Sequence, residues 1–288
     1  MKILITGAGG QIARALLASA PDGMVLIPLS HRELDIADEH AIENSVRDHA
    51  PDVIINGAAY TAVDRAETEH DAAMRINAHG PRHLASAALK YGARLLHIST
   101  DFVFDGTSSR PYRPDSPTNP LNAYGLTKRA GEELVLQTLP EKSIVLRTAW
   151  IYAADGNNFL RTMLRLMAAN RAVRVVADQI GTPTAAHSVA AVLWKLVDRP
   201  DVRGVHHWTD AGVASWYDFA VAIAEDAAER GLLPAAVTVT PITTEEYPTP
   251  ARRPSYSVLD KRSLDQLGIV PAHWRTNLRA VLGEIRNA

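Results

Sequence analysis

Tyr124 and Lys128 stand four residues apart at the start of a helix-like stretch, so both side chains project from one helical face. A free phenol is a poor proton donor at neutral pH, but a neighbouring ammonium favours its ionised form and brings its pKa toward working pH. Such a pair can hand a proton to a carbonyl oxygen as hydride reaches the carbonyl carbon, while the ammonium also hydrogen-bonds a cofactor ribose. With 8 tyrosines in the chain the pair could arise by chance, so its setting decides. Thr100 follows an apolar strand, Arg94 to Ser99, at the carboxyl edge where ligands of open α/β sheets bind. Its hydroxyl would orient the carbonyl and Tyr124; the plainer alternative is a strand-end cap.

The elements that must position these groups alternate regularly. Lys2–Thr6, Met24–Leu29, Asp52–Asn56 and Arg94–Ser99 read as buried strands, separated by helix-like stretches that include Ala41–Ala50 and Ala72–Tyr91. Strands apolar throughout between amphipathic helices predict a doubly wound parallel α/β sheet of Rossmann type. Ser143–Thr148 and a strand near 173–178 are expected to continue that sheet, and a helix near 186–197 to cover it. On this reading residues 1–149 form a nucleotide-binding domain. Residues 150–288, with a strand at Val205–Thr209 and a helix at Trp216–Arg230, form mainly a smaller α/β substrate domain, discontinuous in sequence.

Between the first strand and the first helix lies Gly7-Ala8-Gly9-Gly10-Gln11-Ile12-Ala13. Gly7 permits a tight turn, Gly10 lets the backbone approach phosphates, and Ala13 lets the helix pack closely on the strand, so a dinucleotide diphosphate can rest on the helix N-terminus. The spacing G-x-x-G-x-x-A points to the short-chain dehydrogenase type of Rossmann domain. Where an acidic residue would bind the ribose hydroxyls of NAD, the second strand ends in Ser30-His31-Arg32. A hydroxyl and a guanidinium suit a 2′-phosphate, which favours NADPH and leaves NADH open.

Composition excludes other classes. The chain has 288 residues, 47% hydrophobic, with 30 basic and 32 acidic side chains and no cysteine. Thiolate chemistry, disulfides and cysteine-bound metals are ruled out. Scattered charges give no basic stripe for nucleic acid. No apolar run reaches bilayer length and no signal-peptide pattern opens the sequence, so a cytoplasmic protein without membrane contact is expected.

Six ordered segments carry a specific resemblance: NGAAYTAVD (56–64), STDFVFDG (99–106), NAYGLTK (122–128), RTAWIY (147–152), DQIGTPT (178–184) and PTPARRP (248–254). Together they resemble the dTDP-4-dehydrorhamnose reductase family of extended short-chain dehydrogenase/reductases, over nearly the whole chain. The resemblance implies NADPH-dependent reduction of the C4 ketone of dTDP-4-dehydro-β-L-rhamnose, with Thr100, Tyr124 and Lys128 catalytic. It implies that Gly10, Gln11 and Ile12 meet the cofactor phosphates, that Asp35 and Ile36 meet the adenine, and that Ala58, Ala59 and Tyr60 meet the ribose and diphosphate. Thr61, Val63, Thr100, Asp101, Tyr124 and Trp150 would contact the nucleotide sugar, with Trp150 a wall for the sugar ring. Asn158 is placed along the same cleft, and Arg253 offers a guanidinium fork for a diphosphate, a solvated loop charge being the alternative.

Two departures stand out. Phe102 occupies a position that is often tyrosine in the family. The family resemblance also carries a possible homodimer and Mg2+, yet no acidic ligand set is identifiable in the sequence, and Ala15 stands where an acidic residue can occur.

Two other functions fit parts of the pattern. A nucleotide-sugar dehydratase or epimerase shares the fold, but dehydratases tend to place Asp and Glu directly after the threonine, and here Thr100-Asp101 is followed by Phe102. A non-catalytic NADP-binding regulatory subunit would have no need to keep Thr100, Tyr124 and Lys128 together.

Overall fold

The computed structural model describes residues 1–234 and 236–287. Its centre is a six-stranded sheet of β1 (Lys2–Thr6), β2 (Val25–Leu29), β3 (Val53–Asn56), β4 (Arg94–Thr100), β5 (Ser143–Thr148) and β7 (Gly204–His207), in the order β7-β5-β4-β3-β1-β2. Every pairing in it is parallel. Side chains alternate between faces along each strand. Ile3 and Ile5 therefore join Leu96, Ile144 and Leu146 on one side, beneath α1 (Gln11–Ala18) and α6 (Ala186–Val197). On the other side Leu4, Ile54, Leu95 and Val145 pack against α2 (Glu39–His49), α3 (Gly80–Tyr91) and α4 (Ala123–Thr138), through Ile42, Leu84 and Val135. The chain direction across the sheet reverses between β1 and β3, which opens a crevice beyond their carboxyl ends.

A second lobe has its own core. Tyr152, Met163 of α5 (Phe159–Ala169), Phe219 and Ile223 of α7 (Trp216–Glu229), and Trp274 and Leu278 of α8 (Trp274–Asn287) are buried together. One strand expected in the main sheet belongs here instead. β6 (Ala172–Val176) pairs in parallel with β8 (Thr238–Ile242), Val173 opposite Val239. The reason is visible in its alternation: Val173 and Val175 are buried while Arg174 between them is exposed, which a strand covered on both faces would not tolerate. The place beside β5 is taken by β7, a strand expected in the substrate lobe. Among the described residues no helix is long and apolar enough to cross a membrane.

The helical stretch expected over Ala72–Tyr91 is broken by one π turn, Arg75–His79, which projects the main chain of Asn77 against Gly131 of α4. A Cβ at Gly131 would overlap the Asn77 carbonyl oxygen. Gly131→Ala should therefore destabilise the protein by about 2–3 kcal/mol through overpacking, read as a fall of several degrees in the thermal unfolding midpoint.

Candidate active site

The carboxyl ends of three adjacent strands are tied by a buried polar chain. Thr6 Oγ1 donates to Asn56 Oδ1 at 2.6 Å, and Asn56 Nδ2 meets His97 Nδ1 at 2.9 Å. Burial, helped by the Lys128 charge, holds His97 well below the usual imidazole range, so it stays neutral. Asn56 Oδ1 also accepts the Ala58 N–H at 3.1 Å, which turns the chain sharply after β3.

Gly7 enters this junction at φ +68°, and a Cβ there would lie 2.7 Å from the Ala58 nitrogen. Only glycine fits, for space and for backbone conformation. Gly10 caps α1 without any side chain bonding to the helix's first N–H groups. Those donors are what a diphosphate needs, and the donor set fits a dinucleotide. Gly9, Gly10, Gln11 and Ile12 line one wall of a cleft of about 510 Å³.

Across that cleft, Thr100, Asp101, Tyr124 and Lys128 converge, with Ala59, Thr61 and Trp150 along the remaining walls. Asn122 caps α4 by accepting the Gly125 N–H at 2.8 Å. Gly125 lets the helix sit directly on the Phe102 carbonyl, and the Phe102 ring meets Tyr124 edge-on with centroids 5.8 Å apart. Lys128 is 2% exposed and donates from Nζ to the Ile98 carbonyl at 2.7 Å. Burial pulls its ammonium down to about 8, with Glu132 opposing. The phenol departs from expectation: burial pushes Tyr124 up to about 12, the Thr100 hydroxyl opposing and the Asp101 charge adding to the rise. Lys128, whose ammonium donates to the Ile98 carbonyl, does not offset that burial. A phenol of that kind is fully protonated at neutral pH, as a proton donor must be.

Trp150 reaches the cleft with φ +50°, a conformation rare for a bulky residue. Its indole stacks on Trp216 at 3.5 Å and 5°, and a Cβ at Gly181 beneath it would come within 2.6 Å. The second lobe thus sets the wall from behind.

Other expected site residues lie apart from this cleft. Ser30 donates from backbone and hydroxyl to Glu33, at 2.8 and 2.7 Å, and these bonds lower the Glu33 carboxyl. His31 sits 3.8 Å from Asp35, whose Oδ1 accepts the Ala37 N–H, and Arg32 is exposed. Ile36 is 2% exposed and packs against Gly80, so its side chain belongs to the core. The Tyr60 phenol is turned to Glu69 at 2.7 Å, and Val63 opens the short helix Val63–Ala66.

Asn158 is likewise occupied. Its Oδ1 caps α5 by accepting the Arg161 N–H, and its Nδ2 donates to Gln11 Oε1 at 2.8 Å, bridging the glycine loop to the second lobe. Arg253 forks onto Asp64 at 3.0 and 2.9 Å and also reaches Thr249 Oγ1 at 2.6 Å. Both guanidinium Nη groups are therefore already engaged within the protein. Sequence reasoning missed Asn77, whose side chain brackets Tyr60 by accepting its N–H at 2.9 Å and donating to its carbonyl at 3.0 Å, and also donates to Thr127 Oγ1 at 3.1 Å. The available signal was a lone amide within a stretch otherwise read as regular helix.

A glycine-lined diphosphate cradle at a topological switch point, facing a hydroxyl, a phenol and an ammonium, defines a Rossmann-type oxidoreductase of the short-chain dehydrogenase/reductase class. Comparison with known proteins narrows this. The RmlD substrate binding domain family matches residues 1–287. The dTDP-4-dehydrorhamnose reductase of Aggregatibacter actinomycetemcomitans is 42% identical over 288 residues, covering 97% of this chain and 98% of that one. The crystal structure of a dTDP-4-dehydrorhamnose reductase from Clostridium acetobutylicum superposes with a TM-score of 0.94 at 42% identity, over 99% and 100% of the two chains. That of the Bacillus anthracis reductase, in complex with NADP, gives 0.92 at 36% identity, over 98% and 99%. The chain belongs to the dTDP-4-dehydrorhamnose reductase family.

The Asp64–Arg253 fork joins the two lobes, and its energetics can be checked by a double-mutant cycle. Arg253→Ala and Asp64→Asn should each lower stability by about 1–2 kcal/mol, and the double variant by little more than either alone, measured by denaturant unfolding. Full additivity would place the guanidinium's main work elsewhere.

Proposed function

We propose that the protein reduces the C4 ketone of dTDP-4-dehydro-β-L-rhamnose to dTDP-β-L-rhamnose with NADPH. The observation that carries this reading is Tyr124, set with Thr100 and Lys128 opposite the glycine cradle in one cleft, in a chain 42% identical to a reductase of that name over nearly its full length.

A reduced nicotinamide bound in the cleft supplies hydride to the ketone carbon. Gly10, Gln11 and Ile12 hold its diphosphate on the N-terminus of α1. Tyr124 keeps its proton until charge develops on the ketone oxygen and then donates it there. Thr100 orients that oxygen. Lys128, anchored on Ile98, carries its charge below its pKa of about 8 and stabilises the phenolate as it forms. Trp150 walls the sugar, and Thr61 and Asp101 flank it. Among the described residues no three His, Asp or Glu side chains are grouped to hold a metal. A homodimer rests on the family resemblance alone, and a cytoplasmic setting on the sequence pattern alone. Elimination of water is disfavoured because Phe102 stands where that chemistry places a glutamate.

The direct test follows loss of reduced-nicotinamide absorbance with freshly generated dTDP-4-dehydrorhamnose beside other 4-keto nucleotide sugars; no preference for the former would overturn the substrate assignment. Tyr124→Phe should retain NADPH binding and lose about 10²-fold or more in kcat, the scale of a missing general acid. Exposed Arg32 favours the 2′-phosphate, so Arg32→Ala should shift the NADPH-to-NADH ratio of kcat/KM toward NADH, and an unmoved ratio would remove Arg32 from cofactor selection.

A further inference from the structure

The adenine end of the cofactor site carries a carboxylate that the order of residues conceals. Rossmann chains place the acid that reads the adenine ribose at the end of the second strand, about 20 residues past the glycine motif. Here β2 ends at Leu29, and Ser30, His31 and Arg32 follow it. The Ala8 N–H of the glycine loop donates to the Leu29 carbonyl at 3.1 Å, so the loop and the strand end form one continuous edge. The chain then turns at once, with the Glu33 and Leu34 N–H groups both donating to the Ser30 carbonyl, at 3.0 and 2.9 Å. That turn brings Glu33 back to the strand end, where its Oε2 accepts the Ser30 N–H at 2.8 Å and the Ser30 hydroxyl at 2.7 Å. A carboxylate therefore stands beside position 30, although residue 33 contributes it.

The donors and acceptors around it decide which ribose it suits. Ser30 has one backbone N–H and one hydroxyl proton to give, and both are spent on Glu33. Only lone pairs of its hydroxyl remain for a ligand, and Glu33 Oε1 lies outside these bonds. The bonds from Ser30 lower the Glu33 carboxyl, so it is charged at neutral pH. An edge of acceptors fits a hydroxyl that donates and repels a phosphate. The next acid, Asp35, is committed further along the loop, its Oδ1 accepting the Ala37 N–H at 3.0 Å.

Resting on the dinucleotide reading of the cleft, we propose that Glu33 is a specificity-determining residue that accepts the adenine-ribose 2′-hydroxyl, so that the protein takes NADH as well as NADPH. Arg32 and Glu33 are adjacent and exposed, and they act in opposite directions. The guanidinium favours the 2′-phosphate, and the carboxylate favours the bare hydroxyl.

Glu33→Gln tests this with the turn kept, because an amide oxygen can still accept from Ser30 and the two bonds to the Ser30 carbonyl remain. Dissociation constants for NADH and NADPH, measured by titration calorimetry without sugar substrate, should show NADH weakened and NADPH strengthened. Their ratio should move by about tenfold, the scale of a hydrogen bond to a charged group. Glu33→Ala should move it the same way. An unchanged ratio, or an equal loss for both cofactors, would overturn the proposal, since a carboxylate that only capped the turn would treat the two alike. A wild type that binds NADPH and not NADH would overturn it as well. A wild type that binds both dinucleotides yet leaves dTDP-4-dehydrorhamnose unreduced would bring down the substrate assignment and not the role of Glu33. One that binds neither would bring down the cofactor reading and this proposal with it.

Discussion

Everything in the site hangs on how closely α4 is held to the sheet, and a buried ion pair sets that distance. Glu132 of α4 and Arg147 of β5 are almost fully enclosed, with Arg147 Nη2 2.7 Å and Nε 2.9 Å from the carboxylate. Arg147 also reaches the Pro114 carbonyl and His207 of β7, and its guanidinium lies over the Phe104 ring. Burial and the Arg147 charge hold His207 down at about 3, so it remains neutral beside the cation. A buried pair adds little net stability against a well-packed apolar core, but removing one partner strands the other charge. Its value here is geometric. The pair fixes the rotation and height of α4, and Glu132 is also the charge that favours the Lys128 ammonium one turn earlier.

The second lobe meets this frame at points that bracket the cleft. Gln11–Asn158 and Arg14–Asp155 join it at the glycine loop, and Asp64–Arg253 joins it near Thr61. Between them Trp150 adopts its uncommon backbone conformation, which costs on the order of 1–3 kcal/mol and persists only where the surroundings overdetermine it. Stacking on Trp216 and the missing side chain at Gly181 provide that constraint. The strained residue stands where the two lobes must agree on one surface.

Local pattern revealed much of this and long-range packing hid the rest. The spacing of Tyr124 and Lys128, the glycines after β1 and the buried strands are short-range signals, and the structure brings those residues together. Partner choice is not a local property. A five-residue run such as Ala172–Val176 carries no label for its neighbour, and only its exposed arginine hints that one face is open. Asn158 and Arg253 have the right chemistry to bind ligands, yet their polar atoms are consumed by contacts 147 and 189 residues away in sequence. Ile36 is an adenine contact in the family pattern, but the absence of a side chain at Gly80, 44 positions on, draws it into the core.

The direction of the Tyr124 shift shows why pair chemistry inferred from spacing needs burial to complete it. Spacing puts an ammonium near a phenol and suggests a lowered pKa. Enclosure instead raises the phenol, lowers the ammonium and raises Asp101. All three move toward their uncharged forms, as desolvation requires. Between about 6 and about 8 the phenol is protonated, the ammonium is charged and the carboxyl is losing its proton. The site therefore holds a loaded proton donor and a cation for its conjugate base in the same interval, and water exclusion, more than charge pairing, produces that overlap.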